Sequence, residues 1–199
     1  MVVKEPCKKT GAGQTIQRQS RQLYKDVRAE NKTAVGTKSA VRIKIAVPCS
    51  AYVHDVYARR MRLDGMKRVF WTGDYKSRPD DGYNKTAVPV VENINYQDVV
   101  TIDVWKEATR MQGIQGTPFK GICMANVTAE MTKKWKVSWN CADVKGVSTG
   151  VTQEPCAPLQ GTHTGSCPFP TDTLSVDQIT VQQCSYSIAP ATTSVAGTQ

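Results

Sequence analysis

Apolar and polar residues alternate through Val41-Arg42-Ile43-Lys44-Ile45, and the alternation is over by Pro48. A period of two marks a strand with one face in a core and the other in solvent, and proline closes it because it has no N–H for a ladder. Ser50 then offers an N-cap. Over 52–63 the residues Val53, Val56, Tyr57, Met61 and Leu63 gather on one side of a helical wheel, opposite His54, Asp55, Arg59 and Arg62. The spacing predicts a three-turn amphipathic helix. Gly65 stands at its C′ position, Arg59, Arg60 and Arg62 suit the negative end of its dipole, and a second strand follows over 67–72.

Around this unit the chain divides by composition. Residues 1–40 read as a basic polar arm, 41–76 as a docking domain, 77–85 as a linker of turn chemistry (Ser-Arg-Pro-Asp-Asp-Gly-Tyr-Asn), and 86–199 as an irregular, cysteine-containing extension with a mobile tail. Short strands are expected at 88–91, 99–104, 122–127, 135–139 and 180–187, with helix at 130–134 and 105–111. The reading is α+β: a small strand-helix-strand domain followed by a loop-rich, β-leaning extension with few helices and no internal repeat.

A chain of 199 residues is long enough to bury a core without staples. Its net charge of +9 is uneven, since 19 of the 26 basic residues but only 8 of the 17 acidic ones fall by Lys85. A basic half implies a negatively charged partner. No apolar run reaches a membrane span, and Met1 to Lys9 carries lysines with no apolar region behind them, so neither a transmembrane nor a secreted chain is expected. Seven cysteines, an odd number, then argue against a disulfide framework. The sequons at Asn31, Asn84 and Asn126 would matter only in a secreted protein.

Catalysis has no visible seat. His54 and His163 are the only histidines, and Cys156, His163 and Cys167 lack a fourth ligand of matching spacing, so no metal site is expected. Gly11-Ala-Gly13 follows no strand, and Asp80-Asp81 lies among turn residues. More suggestive is the interleaving of Tyr52, Tyr57, Phe70, Trp71, Tyr75 and Tyr83 with Arg59, Arg60, Arg62, Lys67, Arg68, Lys76 and Arg78, because Tyr, Trp and Arg carry interface energy. Tyr52, Tyr57, Arg59, Arg60, Arg62 and Trp71 are the candidate partner-binding residues.

The stretch VRIKIAVPCSAYVHDVYARRMRLDGMKRVFW resembles the CpcD-type domain of phycobilisome linker polypeptides, with Val47-Pro48, Arg60-Met61, Gly65 and Val69-Phe70 on its features. The resemblance implies a non-catalytic, red-algal type linker in a large hetero-complex with phycobiliprotein subunits and other linkers, binding no nucleic acid. It would lie on the stromal face of the chloroplast thylakoid. No cofactor is then required, although Cys123, Cys141, Cys156, Cys167 and Cys184 become candidate attachment points for bilins. The alternative is a small viral capsid protein whose basic arm binds RNA.

Overall fold

Where the wheel predicts a helix, the chain is extended. Residues 51–72 form a single bent strand in the computed structural model, which describes residues 2–4, 22–45, 51–73, 88–132, 138–161 and 165–174. As far as Met66 its buried side chains are Ala51, Val53, Val56, Ala58, Met61, Leu63 and Met66, separated by alternating steps of two and three. Each step of three straddles a residue with left-handed backbone: Asp55 (φ 57°), Arg60 (φ 53°) and Gly65 (φ 62°). One such residue turns the strand through a corner, and the next apolar side chain again points inward. The i, i+3 pairs that mimic helical spacing, such as Val53 with Val56, are the two sides of a corner.

The pattern recurs along the chain. The strands are β1 (Val2–Lys4), β2 (Gln22–Val35), β3 (Ser39–Lys44), β4 (Ala51–Thr72), β5 (Val90–Gln112), β6 (Phe119–Met131), β7 (Trp139–Ala142) and β8 (Val144–Val151). In β5 the buried Val91, Ile94, Tyr96, Val99, Thr101 and Val104 step around Asn93, Asp98 and Asp103, all at positive φ. In β6, Ile122, Met124, Val127 and Ala129 step around Gly121 and Asn126. The chain therefore does repeat. The repeat escapes a search for identical residues because only the order of apolar, outward and corner positions is kept.

Every strand pair is parallel, in the order β1-β3-β4-β5-β6-β8, with β2 also on β4 and β7 also on β5. Strands β2 and β3 lie end to end beside β4, and β6 and β7 lie end to end beside β5. The chain thus winds in stacked coils as a parallel β-helix, the return path of each coil replacing the helical crossover that parallel strands usually need. This overturns the α+β strand-helix-strand reading, including the helix at 105–111, which lies within β5. Residues 22–35, read as part of the arm, form β2 and are paired along most of their length with β4. Ser50, the linker at 77–85, the strand at 180–187 and the tail from 189 lie outside the described residues, as do 133 and 134, whereas Glu130 and Met131 of the expected helix at 130–134 end strand β6. Among the described residues no helix is long and apolar enough to cross a membrane.

Stacking coils in register produces columns. Val27, Val56, Ile94 and Ile122 make one inner column, and Ala29, Ala58, Tyr96 and Met124 the next. At the corners the columns are polar. Asn93 Nδ2 donates to Asp55 Oδ1 (3.1 Å) and Asn126 Nδ2 to Asp98 Oδ1 (3.0 Å), so these left-handed residues also tie one coil to the coil before it. Asp and Asn tolerate this conformation better than other side chains and still offer a hydrogen bond. On the next coil Gly121 combines positive φ with a close approach, since a Cβ there would lie 2.7 Å from Asn93 Oδ1.

Met1–Phe169 form one compact unit, and Pro170–Gln199 a second, described only over 170–174. At the far end of the first unit a short 3-10 helix (Ala157–Leu159) inserts Leu159, fully buried, into the core, and its carbonyl accepts a 2.7 Å bond from Ser148 Oγ. The centre of the core is a stack of Phe70 on Tyr96, ring centroids 3.8 Å apart and planes 10° from parallel, both rings fully buried. Burial pushes the Tyr96 phenol far above its ordinary pKa, the Thr72 hydroxyl offsetting a little of that shift. Neither hydroxyl meets a partner in good hydrogen-bond geometry. Phe70→Ala should therefore lower stability by about 3–5 kcal/mol through the cavity it leaves. Tyr96→Phe, which removes only a poorly satisfied hydroxyl, should stay within about 1 kcal/mol of the parent. Urea unfolding midpoints read both, and equal losses would place the weight of the core elsewhere.

Candidate functional site, a cationic and aromatic strip

The last strand segment of each coil builds one face of the β-helix. Arg42 on β3 stands beside Trp71 on β4, Trp71 beside Arg110 on β5, and Arg110 beside Asn140 on β7. Their inward neighbours, Val41, Phe70, Thr109 and Trp139, are buried, which directs this row outward. The Arg42 guanidinium lies 3.8 Å from the Trp71 ring centroid and that of Arg68 4.4 Å, cation–π contacts that hold the indole upright as a platform. Arg110 Nη2 donates to Gln112 Oε1 at 3.2 Å, and Lys44 follows Arg42 at the next outward position of β3.

Charge on this face is one-sided. The segments 39–44, 66–72, 104–112 and 139–142 contain six basic residues and a single acid, Glu107. That acid is engaged by Arg68, whose Nε lies 2.8 Å from Glu107 Oε2 with the arginine 3% exposed. A buried pair of this kind is strongly destabilised when one partner is removed, so Glu107 serves Arg68 and is a poor candidate for proton transfer. The guanidinium groups beside it can hold a planar anion, and an indole can lie against the apolar face of a ring.

The partner-binding residues expected from the sequence are scattered over different faces. Trp71 belongs to the strip. Tyr52 stacks on His54 (4.3 Å) and donates to Glu92, while His54 Nδ1 lies 2.7 Å from Asp55 Oδ2. Tyr57 and Arg59 meet across Phe169, the tyrosine edge-on at 5.8 Å and the guanidinium over the ring at 3.4 Å. Arg59 and Arg60 both pair with Glu30, and Arg60 Nε also donates to Asn31 Oδ1 at 2.8 Å in its corner column. Arg62 is exposed on a further face, between Thr33 and Val100. Arg42 and Arg110 were missed, and Arg68, noted among the interleaved cations, was left out of the candidates, although the alternation around Ile43 already exposed Arg42 and Lys44 as the outward residues of a strand.

The cysteines depart from expectation. Cys123 is joined to Cys167 and Cys141 to Cys156, so these four sulfurs carry no thiol for a bilin, and Cys156 and Cys167 sit in different bridges. Cys184 and His163 lie outside the described residues. The odd total concealed two pairs. One bridge fastens the segment before Phe169 against β6, forming a wall of a cleft of about 450 Å³ lined by Asp55, Tyr57, Asn93, Asn95, Val147 and Pro168.

Comparison with known proteins identifies this architecture. Residues 11–185 match the family described as glycosyl hydrolases family 28. A probable polygalacturonase from Vitis vinifera is 45% identical over 168 residues, which cover 82% of this chain and 34% of that protein. The chain thus spans about a third of the length of this curated relative. No solved structure matches. These findings overturn the linker resemblance and what followed from it: the non-catalytic role, the phycobiliprotein partners, the light-harvesting assembly and the thylakoid location. They equally overturn the capsid alternative. The 41–72 likeness rested on a helix that is a bent strand, with Arg60 and Gly65 at corners where the linker pattern needs a helix end.

The bridge between β6 and the segment before Phe169 closes a loop of sequence separation 44. Replacing Cys123 and Cys167 together by serine should lower stability by about 2–4 kcal/mol. It should also speed amide exchange over 165–169 while leaving β4 and β5 protected. Uniform loss of protection across the coils would contradict a local fastening.

Proposed function

Because the chain belongs to glycosyl hydrolase family 28, we propose that it is the polyuronide-holding part of a polygalacturonase-type hydrolase acting on the galacturonan of pectin. The observation that carries this reading is the outward row Arg42–Trp71–Arg110, cation, aromatic and cation on three successive coils. Galacturonate offers a carboxylate, which suits the planar fork of an arginine, and a ring whose C–H face suits an indole. A neutral polysaccharide offers these cations no carboxylate.

Cleavage of a glycosidic bond takes two carboxyl groups flanking it. Among the described residues five acids are otherwise engaged. Asp55 and Asp98 accept corner hydrogen bonds, Glu30 and Glu107 pair with arginines, and Glu92 accepts from Tyr52. The strip accordingly binds and orients a uronide, and the acid–base pair is assigned to residues outside it. The two disulfides favour action in an oxidising, extracytoplasmic compartment.

Binding of polygalacturonate and of a neutral galactan, measured by calorimetry at low salt, tests the reading. The parent should bind the first and ignore the second. Arg42→Ala and Trp71→Ala should each weaken binding about tenfold, the scale of a lost charge-assisted or cation–π contact. Equal binding of the neutral polymer, or both variants behaving as the parent, would overturn it.

A further inference from the structure

Between the first and second corners of their coils, Tyr57, Asn95 and Cys123 stand in register on consecutive coils, with Val147 next in the row. Their chain neighbours Val56 and Ala58, Ile94 and Tyr96, and Ile122 and Met124 point into the core, so this row faces out of the β-helix on a different side from Arg42, Trp71 and Arg110. The segment ending at Phe169 crosses it. Cys167 is bonded to Cys123 and Phe169 meets Tyr57, which sets Pro168 between them as one wall of the cleft of about 450 Å³. The other wall is the first corner column, Asp55 and Asn93, followed on the next coil by Gly121, which adds no side chain to the space.

Asn95 is the telling member of the row. It is only 5% exposed, and its Nδ2 donates to the Asn93 carbonyl oxygen at 3.3 Å. Among the described residues its Oδ1 and its second N–H have no partner. Buried polar groups are normally satisfied, so a carboxamide half used at the edge of a cleft is one that a ligand completes. Asp55 is the one charged residue lining the cleft, and a carboxylate entering it would meet a like charge and no cation. Tyr57, Val147 and Pro168 supply apolar surface. An aromatic ring and a few amides on a mostly apolar wall suit a sugar without charge, whose hydroxyls pair with a carboxamide and whose C–H face lies on the ring.

We propose that this cleft binds a neutral sugar, with room for about one or two rings, at a site separate from the cationic strip. Asn95 serves neighbouring hydroxyls as acceptor and donor, Tyr57 backs the C–H face, and Asp55 turns uronates away. The inference goes beyond the proposed function and does not depend on it, since the Arg42 row calls for charge and the cleft refuses it. A ring of about a dozen heavy atoms is held at roughly millimolar strength, so neutral polymer stays silent in calorimetry at concentrations where the strip binds polygalacturonate.

Amide shifts of the full chain, followed by NMR as D-galactose, D-glucose, L-arabinose or D-galacturonic acid is added to about 50 mM, test the site well above a millimolar Kd. At least one neutral sugar should move the amides of 55–57, 93–95, 121–123 and 146–147 saturably, and galacturonic acid should not. Asn95→Asp, which keeps the shape but replaces a donor with a charge, should weaken that sugar about fivefold. Val147→Phe, which fills the cleft from its apolar side and leaves Asn95 in place, should abolish the shifts. An otherwise unchanged amide spectrum shows that a variant is folded, and Val147→Phe alone decides if Asn95→Asp is not. Absence of shifts with all three neutral sugars, equal shifts with galacturonic acid, or shifts that survive Val147→Phe overturn the site. Saturable neutral-sugar shifts in a protein that ignores polygalacturonate would support the cleft while refuting the proposed function.

Discussion

One left-handed residue at each corner is the constraint on which the rest of this molecule depends. A parallel sheet can close on itself as a coil only if the strand turns sharply without losing its inward face, and a single residue at positive φ achieves both. Asp55, Arg60 and Gly65 do so in β4, and Asn93, Asp98 and Asp103 in β5. Because the corners stack, their amides and carboxylates bond from coil to coil, so the groups that bend the chain also hold the register. Arg60 is the costly member, a long side chain in a conformation that suits Asn or Gly. Its bonds to Asn31 and Glu30 offset part of that strain.

Register in turn determines what the surface can do. A residue at one position of a coil acquires neighbours of the same rank on the coils above and below, and a modest local preference becomes a column. An arginine, a tryptophan and an arginine are unremarkable in sequence because 29 and 39 residues separate Arg42, Trp71 and Arg110. In space they are adjacent. Of the 19 basic residues by Lys85, β3 and β4 place four on this face, where Glu107 is the one acid.

How much of this was legible follows from the same geometry. The strand at 41–45 and its outward Arg42 and Lys44 could be read, since no corner interrupts them. The β4 segment could not be read by testing periods of 2 and 3.6 alone, because the alternation of two and three averages between them. A search for Asp, Asn or Gly every fifth residue, flanked by apolar positions, would have found Asp55-Val56 and Gly65-Met66, Asn93-Ile94 and Asp98-Val99, and Gly121-Ile122 and Asn126-Val127 in succession. The disulfides were hidden by parity, which says nothing about how many of seven cysteines pair. The acids were hidden differently: in sequence nothing marks the role of Asp55 and Asp98, and only the stacked coils reveal that they are corner posts.

The connections between coils obey a different rule from the coils themselves. From Thr72 to Val90 the path is long, yet Tyr52 and Val90, like Thr72 and Met111, are in register at either end of their coil. From Ala142 to Val144 a single residue suffices. Since strand pairing and the corner bonds keep the columns aligned, a connecting segment can gain or lose residues without shifting any rung. Connections can therefore change by insertion while the strands of the strip stay put, and a new specificity need not begin by disturbing the scaffold that supports the old one.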